Sequence, residues 1–396
     1  MKSMSIIEES QKYAALLEHK PELGPAATFV PNKAEPVYNW LYYKEGFSKE
    51  LVNWLLDYFS AQQTSENETQ NQTTPKALDS SEFQLVLDPF CGVGTTLLAC
   101  KQKGINSIGY DVQPAAVFAS MVKTKNYDLD ELKEQARLLL KKKFIRLDKK
   151  FPPLFYRAFS KYALEDIAFF DSEIREMGNN NDFFLLALIN AAIKCSYVWK
   201  DGAVIKIRKA PKPPLRVMLR KTIYRMIKDL EASPQTGAHC VAEMKDARQL
   251  DLEPGIIDAV ITSPPYLNNI DYTKVYEIEN YFLGYPKPPL RSFIGFSDVE
   301  EFSELPASAR AYFTDMKKVL YELYRVSKSS AKLAVVVGNG YVDGVIVDSD
   351  LLLAKMAEGM GFNVEKIFVV NERFALEERT KKKGVLRESI IVMEKI

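Results

Sequence analysis

The stretch Ile256-Ile257-Asp258-Ala259-Val260-Ile261-Thr262-Ser263-Pro264-Pro265-Tyr266 is an apolar, β-branched run that ends at two adjacent prolines. The run predicts a buried strand. The prolines predict a stiff exit from the sheet, because proline has no N–H for a ladder and its φ is fixed. Each proline also favours an extended conformation in the residue before it. We therefore expect outward-pointing carbonyls at the carboxyl edge of the sheet, where open α/β sheets bind ligands.

The residues at this exit suit a flat ligand that carries an amino group. Ser263 offers a small polar acceptor, Pro264 a rigid carbonyl and Tyr266 an aromatic face. On these residues alone, a proline-rich turn after a core strand explains the pattern equally well. The sequence upstream decides between the two interpretations.

A second apolar strand ends in a glycine-containing turn. Leu85-Val86-Leu87 runs into Asp88-Pro89-Phe90-Cys91-Gly92-Val93-Gly94-Thr95-Thr96, and a helix-like apolar segment follows. Strand, glycine turn and helix are the order of a nucleotide-type βα unit. The turn lacks Gly-Lys-Ser/Thr and is therefore not a phosphate-binding P-loop. The Asp88 carboxylate would repel phosphate and suits a ligand with an ammonium group, while Thr95 and Thr96 suit a helix cap or a ligand carboxylate.

A third strand also ends in an acid. The stretch Gly104-Ile105-Asn106-Ser107-Ile108-Gly109-Tyr110 precedes Asp111, which lies roughly twenty residues beyond the glycine turn, the spacing of a ribose-binding carboxylate at the next strand tip. We therefore expect Asp111 to bind a ribose and Val112 to pack on an adenine.

The pair of motifs resembles a known enzyme family. Asp-Pro-Phe-x-Gly-x-Gly at 88–94 and Thr-Ser-Pro-Pro-Tyr at 262–266 are similar to the signatures of S-adenosylmethionine-dependent DNA methyltransferases that modify exocyclic amines, the N4-cytosine/N6-adenine family. The resemblance covers most of the chain outside a central insertion. It implies an α/β fold, the Rossmann-like seven-stranded sheet of class I methyltransferases, with a mainly helical insertion. The Ser-Pro-Pro-Tyr form is more typical of the cytosine-N4 branch.

The resemblance also implies which residues act. Those implied to bind S-adenosylmethionine are Phe47, Asp88, Phe90, Gly92, Gly94, Thr95, Thr96, Asp111, Val112, Asp246 and Ala247. Phe47, with Tyr43 as the weaker candidate, would meet the methionine end of the cofactor, and Asp246 the adenine amine. Those implied to be catalytic are Ser263, Pro264, Pro265 and Tyr266. Ser263 and the Pro264 carbonyl would accept hydrogen bonds from the target amine, and Tyr266 would stack on a base flipped out of its duplex.

Composition excludes several other classes. The chain has 396 residues, of which 47% are hydrophobic and 27% charged, as in a soluble globular protein with two or three domain-sized units. Four cysteines without Cys-x-x-Cys spacing and two histidines lead us to expect neither a metal site nor a disulfide framework. The first residues carry no signal-peptide pattern, and the longest apolar stretch, 183–193, is too short to cross a bilayer. We therefore expect a cytoplasmic protein that does not bind membranes.

The chain divides into segments of different character. We expect residues 1–25 to be an N-terminal extension, residues 26–125 and 240–396 to form the catalytic core, and the polar segment 60–81 to be a disordered loop. Residues 126–239 interrupt the α/β alternation and are our candidate target-recognition region. The net charge is only +1, so a nucleic-acid surface requires uneven charge placement.

The basic segment 200–228 supplies such uneven placement. Its candidate phosphate contacts are Lys206, Arg208, Lys209, Lys212 and Arg216. A charge run of this kind is also common on an ordinary solvated face.

The sequence thus predicts a site-specific methyltransferase that acts on double-stranded DNA, most simply at cytosine N4, with a restriction endonuclease as a partner to test for. Methylation of adenine N6 and of a base amine in RNA stay open, as does a nucleic-acid-binding module without activity. RNA enzymes carry similar Pro-Pro-Tyr motifs, usually after Asn or Asp. Methylation at carbon 5 would need a cysteine after the Ile256–Thr262 strand, and Cys91 instead lies in the glycine turn.

Overall fold

The computed structural model describes residues 6–43, 46–68, 83–201, 204–267, 275–285, 294–295, 302–377 and 381–396. The α-helices within these ranges are α1 Ile6–Ser10, α2 Lys49–Glu68, α3 Thr95–Gln102, α4 Pro114–Thr124, α5 Leu129–Lys141, α6 Pro153–Ala158, α7 Lys161–Arg175, α8 Asn181–Cys195, α9 Leu215–Glu231, α10 Glu277–Phe282, α11 Ala307–Val326 and α12 Ser349–Glu358. The strands are β1 Leu17–His19, β2 Leu85–Asp88, β3 Asn106–Asp111, β4 Val198–Asp201, β5 Val204–Ile207, β6 Cys240–Met244, β7 Ile257–Thr262, β8 Ser327–Gly338, β9 Gly340–Val342, β10 Val345–Val347, β11 Phe362–Glu377 and β12 Lys381–Lys395.

One large sheet organises the chain. Its strand order is β6-β3-β2-β7-β8-β12-β11-β1, and β12 alone runs antiparallel to its neighbours β8 and β11. From β2 the chain builds outward through β3 to β6, and from β7 it builds outward in the other direction through β8. The order therefore reverses between β2 and β7. The Rossmann-like α/β fold class predicted from the motifs is confirmed by this topology.

The sheet is buried on both faces. On β8, Leu333, Val335 and Val337 pack into one apolar cluster, which includes the buried faces of α11 and α12. The alternate residues Ala334 and Val336 pack into another cluster, which includes α2. Because successive strand residues point to opposite faces, a strand covered by helices on both sides reads as a continuous apolar run.

The N-terminal segment, which we expected to be an extension of the core, contributes a strand to the large sheet. Residues 17–19 form β1, which pairs in parallel with β11 and adds an eighth strand to the seven expected.

Helix α2 continues through Glu68, so residues 60–68 are helical rather than a loop, and the rest of the polar segment up to 81 lies outside the described residues. None of the described helices is long and apolar enough to cross a membrane.

The helical insertion shares its core with the aromatic segment before α2. Trp40 is fully buried, donates from Nε1 to Asp229 Oδ2 at 2.9 Å, and meets the ring of Phe183 edge-on. Residues of α4 to α9 join the same apolar cluster. The aromatic-rich residues 36–48 therefore serve partly as packing, and they connect the insertion to the edge of the sheet where the site lies.

Candidate active site

A cavity of about 450 Å³ lies at the carboxyl ends of β2, β3 and β7, where the strand order reverses. This is the position at which open α/β sheets bind ligands, and the volume suits a ligand of cofactor size. The candidate site residues that line it are Phe47, Asp88, Phe90, Gly92, Thr95, Asp111, Val112, Asp246, Ala247, Ser263, Pro264, Pro265 and Tyr266. Segments far apart in the sequence thus meet around one space.

Asp88 ties three elements together at the floor of the cavity. Its Oδ1 accepts from Thr262 Oγ1 at 2.7 Å and from the Phe90 backbone N–H at 3.2 Å, and its Oδ2 accepts from Thr96 Oγ1 at 2.6 Å. Burial raises the pKa of Asp88 to about 6, although these hydrogen bonds oppose the shift. At neutral pH the group is a carboxylate that a ligand cation can neutralise.

Asp111 is held by the backbone of the glycine turn. Its Oδ2 accepts from the Gly92 N–H at 2.9 Å and its Oδ1 from the Gln113 N–H at 2.8 Å. Burial raises the pKa of Asp111 to about 6, against the effect of these N–H groups. Each oxygen accepts one of these bonds and keeps lone-pair capacity for a ligand hydroxyl. A carboxylate fixed in this way suits a ribose.

Gly94 and Thr96 do not line the cavity, contrary to their expected cofactor contact. Gly94 has φ +79°, and a Cβ there would lie 2.4 Å from Ser120 Oγ, so the position requires glycine for close packing against α4. Thr96 is fully buried and orients Asp88. Both residues therefore lie behind the cavity lining, where Gly94 allows close packing and Thr96 orients Asp88.

Asp246 is engaged by an arginine that the motifs do not indicate. Arg248 Nε and Nη2 donate to Asp246 at 3.0 and 2.6 Å, and Arg248 Nη1 lies 3.1 Å from the fully buried Asp315. Burial opposes ionisation of Asp246, but the bonds from Arg248 outweigh it, and the net effect lowers the pKa of Asp246. Asp315 also accepts from the Gly295 N–H at 3.0 Å, beside the cavity residue Ile294.

Phe47 and Tyr43 both line the cavity. The buried Asn32 donates from Nδ2 to the Phe47 carbonyl at 3.1 Å and to Thr95 Oγ1 at 3.3 Å, while its Oδ1 accepts from the Lys49 N–H at 3.0 Å. Nothing in the sequence around Asn32 indicates this role. Tyr43 covers the turn, because a Cβ at Gly92 would lie 3.1 Å from its ring.

Tyr266 sits across a row of three neighbouring strands. Gly338 of β8, Glu388 of β12 and Asn371 of β11 are register partners. The Tyr266 hydroxyl donates to Glu388 Oε1 at 2.6 Å, and its ring lies on Gly338, where a Cβ would be 2.6 Å from Cδ2. Asn371 Nδ2 donates to Glu388 Oε2 at 3.4 Å. Burial, followed by the Glu388 charge, raises the pKa of Tyr266 well above its usual value, so the phenol stays a donor.

The basic candidates for nucleic-acid contact separate into two groups. Lys206, Arg208, Lys209 and Lys212 are exposed on or just after the β4–β5 hairpin. Arg216 instead pairs with Asp166 at 3.3 Å, and its guanidinium lies 5.2 to 5.6 Å from the ring centres of Phe144, Phe169 and Phe170. Arg216 therefore joins α9 to α7, with 38% of its side chain exposed, and its phosphate contact stays a prediction.

The hairpin is attached beside the cavity. Lys200 of β4 donates to Glu279 of α10, and its Nζ lies 3.8 Å from the centre of the Tyr276 ring. Tyr276 stacks on Tyr43 with ring centres 5.1 Å apart and planes at 19°. Tyr43 in turn lines the cavity. Two stacked rings, those of Tyr276 and Tyr43, therefore lie between the basic hairpin and the cavity.

The arrangement combines acceptors for a cation, a ribose and an amine with a rigid aromatic face, in one space. Cys91 is buried, and burial raises its pKa well above the usual value for a thiol. A thiolate nucleophile is therefore not available from Cys91. The site suits chemistry in which the chain positions two ligands and does not itself form a covalent bond.

Sequence comparison identifies similar proteins. A family model described as "DNA methylase", for N6 and N4 methyltransferases, matches residues 34–121. The chain is 27% identical to the type II methyltransferase M.BsoBI of Geobacillus stearothermophilus, over 100% of this chain and 91% of that protein. It is 23% identical to the type II methyltransferase M.AvaI of Nostoc sp., over 93% of this chain and 89% of that protein.

Structure comparison finds much more distant similarity. An S-adenosylmethionine-dependent methyltransferase of Methanosarcina mazei aligns with 80% of this chain and 94% of its own, at 11% identity and a TM-score of 0.31. The fold assignment rests on the strand order and register of the chain itself.

Lys123 beneath the glycine turn generates a pH prediction. Its Nζ donates to the carbonyls of Tyr38 and Val93 at 3.0 and 3.1 Å, and burial lowers the pKa of Lys123 to about 7. An unfolded lysine has a pKa near 10.4. The unfolded chain therefore binds more protons between pH 7 and 10, so this residue makes stability rise with pH in that window. Urea unfolding should show the wild type gaining stability relative to Lys123→Met between pH 7 and 9.5.

The exposed Lys125 provides the control for this experiment. It pairs with Asp182 and is 42% exposed, so Lys125→Met measures the effect of removing a surface lysine, and Lys123→Met should show the larger change with pH across the same window. A pH-independent difference for Lys123→Met would contradict the neutral, buried lysine.

Proposed function

We propose that the chain belongs to the family of DNA methyltransferases that modify exocyclic amines, which it resembles in sequence, and that it methylates N4 of cytosine at a specific site in double-stranded DNA. Dependence on S-adenosylmethionine comes with the family. The observation that carries the proposal is that Asp88 and the segment Ser263–Tyr266 line the same cavity. Direct methyl transfer requires that the carboxylate that binds the cofactor cation and the segment that binds the target amine line the same space.

The residues in the cavity fit S-adenosylmethionine. Asp88 suits the ammonium group of the cofactor, and Asp111 suits its ribose hydroxyls. Asp246 suits the adenine amine, which would share the Asp246 carboxylate with Arg248. Val112, Ala247 and Phe47 supply apolar surface around them. The space that a Cβ at Gly92 would fill lies under Tyr43. These acceptors thus match the ammonium group, the ribose hydroxyls and the adenine amine of the cofactor.

S-adenosylmethionine supplies an already activated methyl group, so the chain needs no nucleophile. The target amine has little lone-pair density because its nitrogen is conjugated with the ring. Hydrogen bonds from its two N–H groups to Ser263 Oγ and to the Pro264 carbonyl favour a tetrahedral nitrogen and offer acceptors for the departing proton. Such bonds strengthen in the transition state and therefore accelerate the reaction.

Serine at position 263 favours cytosine over adenine in this proposal, because Ser-Pro-Pro-Tyr is more typical of the N4 branch. Base flipping follows from the recessed position of the segment 263–266, which a base stacked in a duplex does not reach. A restriction endonuclease of the same specificity is the proposed partner, since the relatives are named type II methyltransferases.

Nucleoside mass spectrometry tests the proposed reaction. The full chain is expressed in a methylation-deficient host, and DNA and RNA are digested separately. We expect N4-methylcytosine in the DNA, and its absence with Ser263→Ala or without induction. N6-methyladenine in its place would overturn the choice of base, and a mark found only in RNA would overturn the substrate class.

Cofactor affinity should fall below about pH 6. Protonation of Asp88, whose pKa is about 6, removes the charge that neutralises the ammonium group, so affinity rises with pH through that value and then levels. Calorimetry with S-adenosylmethionine between pH 5 and 7.5 measures this. The isosteric Asp88→Asn variant should bind at least about 10-fold more weakly at pH 7.5 and with a flatter profile. Equal affinity and an equal profile would remove Asp88 from the cofactor site.

The contact between Tyr266 and Glu388 should affect turnover but not cofactor binding. Without this hydrogen bond the ring is no longer held against Gly338, and misplacing a reactant by about 1 Å costs up to about 100-fold in rate. We expect Glu388→Ala and Tyr266→Phe each to lower kcat about 10- to 100-fold. Tritiated methyl transfer into unmethylated genomic DNA measures kcat and KM.

A double variant and two controls separate positioning from general damage. Tyr266→Phe with Glu388→Ala should lose no more activity than the worse single variant, because both remove one contact. Glu388→Gln retains an acceptor oxygen and should recover most of the rate. Glu253→Ala removes an exposed carboxylate before β7, at the opposite edge of the sheet, and should match the wild type. Losses that multiply in the double variant would refute the positioning role.

A further inference from the structure

The long strands β11 and β12 extend beyond the rest of the sheet as a two-stranded arm. The last register pair between β8 and β12 is Gly338 with Glu388, whereas β11 and β12 stay paired from Asn371 to the end of β11. We call residues 371–377 and 381–388 the β11–β12 arm. Because Gly338 ends β8, the arm projects from the sheet edge at which the cavity lies.

One face of the β11–β12 arm continues the row of residues that holds Tyr266. Register partners of an antiparallel pair share a face, and so do residues two apart along a strand. Arg373 and its partner Leu386 therefore stand on the same face as Glu388. They lie about 7 Å further along the arm, and all three residues line the cavity together with Tyr266.

Arg373 differs from the other cations that line the cavity. Each of the others pairs with a carboxylate of the chain: Lys245 with Asp251, Arg248 with Asp246, and Arg387 with Asp350. Arg373 is exposed and has no ion-pair partner among the residues that the structure describes. Its guanidinium can therefore bind an anionic group of a ligand in the cavity.

The strand order excludes the carboxylate of the cofactor as that anionic group. Four strand steps separate β11 from β2, a distance on the order of 20 Å. Arg373 is therefore too far from a carboxylate whose ammonium group binds Asp88. It lies instead one step beyond the row that holds Tyr266, where the proposed function puts the target base. The sugar of a nucleotide can span that step, so the phosphate of the same nucleotide reaches Arg373.

We propose that Arg373 binds the backbone phosphate next to the target nucleotide and so holds that nucleotide while its base occupies the cavity. A planar guanidinium donates two parallel hydrogen bonds to one phosphate. The charge is needed, because the carboxylates of Glu372 and Glu388 line the same end of the cavity and repel a phosphate. The inference rests on the proposed function, because it requires a nucleotide whose base enters the cavity.

The end of the β11–β12 arm suits the continuation of the same nucleic-acid backbone. Three consecutive lysines, residues 381–383, are exposed there. A backbone that passes Arg373 and follows the arm away from the sheet meets these cations next. Phosphate contacts of this kind fix the position of a duplex without reading its sequence.

Neutral linkages at single phosphates locate the contact. The substrates are synthetic duplexes that carry the site mapped by sequencing of the modified DNA, each with one methylphosphonate near the target base. We expect one position next to the target to weaken wild-type binding about 10- to 100-fold. Arg373→Gln should bind the unmodified duplex more weakly by a similar factor. It should no longer respond to the neutral linkage at that position, because both changes remove one contact.

Salt dependence and matched variants separate this contact from a general effect of charge. Arg373→Gln should lower the slope of affinity against salt by about one. Arg373→Lys keeps the charge and should keep the slope, but it should recover only part of the affinity. Lys366→Gln removes a cation that is 47% exposed near the start of β11, at the opposite edge of the sheet, and should change neither quantity. An unchanged melting temperature verifies that the variants are folded.

The outcomes separate this inference from the function beneath it. A wild type that leaves no mark on DNA overturns the proposed function, and the inference with it, whatever Arg373→Gln does. A wild type that methylates DNA while Arg373→Gln keeps wild-type affinity, or still responds to the same neutral linkage, refutes the phosphate contact alone. Weaker binding of S-adenosylmethionine by Arg373→Gln would assign the guanidinium to the cofactor and refute the contact equally.

Discussion

The hydrogen bonds of Asp88 are the constraint on which the site depends. Its carboxylate accepts from Thr262 at the end of β7 and from Thr96 in the first turn of α3. It therefore joins the two central strands at the point where the strand order reverses. A crevice must open there, since the connections from β2 and β7 leave in opposite directions. The same carboxylate that closes the base of the crevice offers its charge to a ligand, so binding and architecture use one group.

The two halves of the cavity are held rigid in different ways. On the side of the glycine turn, backbone N–H groups hold Asp111, and burial keeps its pKa near 6. On the side of the two prolines, side chains perform that task, because Tyr266 leaves its strand there and has no ladder to hold it. Glu388 of β12 and Gly338 of β8 are register partners. Glu388 accepts a hydrogen bond from the Tyr266 hydroxyl, and the Tyr266 ring packs on Gly338. Preorganisation of this kind reduces the reorganisation needed during the reaction.

The helical insertion is coupled to the site through aromatic packing rather than through the sheet. Its core continues into the segment before α2 through Trp40, and its hairpin approaches the cavity through the stacked pair Tyr276 and Tyr43. Rings in contact transmit position well, since they are stiff and bury much surface for few rotatable bonds.

The sequence alone determined the strand ends, the two motifs and the α/β class. Proline, glycine and unbroken apolar runs restrict the local backbone and burial wherever they occur. They therefore predicted that Asp88, Asp111 and Ser263 lie at the ends of strands. Local patterns did not indicate the strand β1, the continuation of α2 or the pairing of Arg216 with Asp166, since sheet pairing and helix packing decide these. The partners Arg248–Asp315 and Tyr266–Glu388 were likewise decided by the tertiary structure alone. Each depends on the register or contact of segments distant in the chain, and a one-residue shift in register would turn the same side chains to the other face.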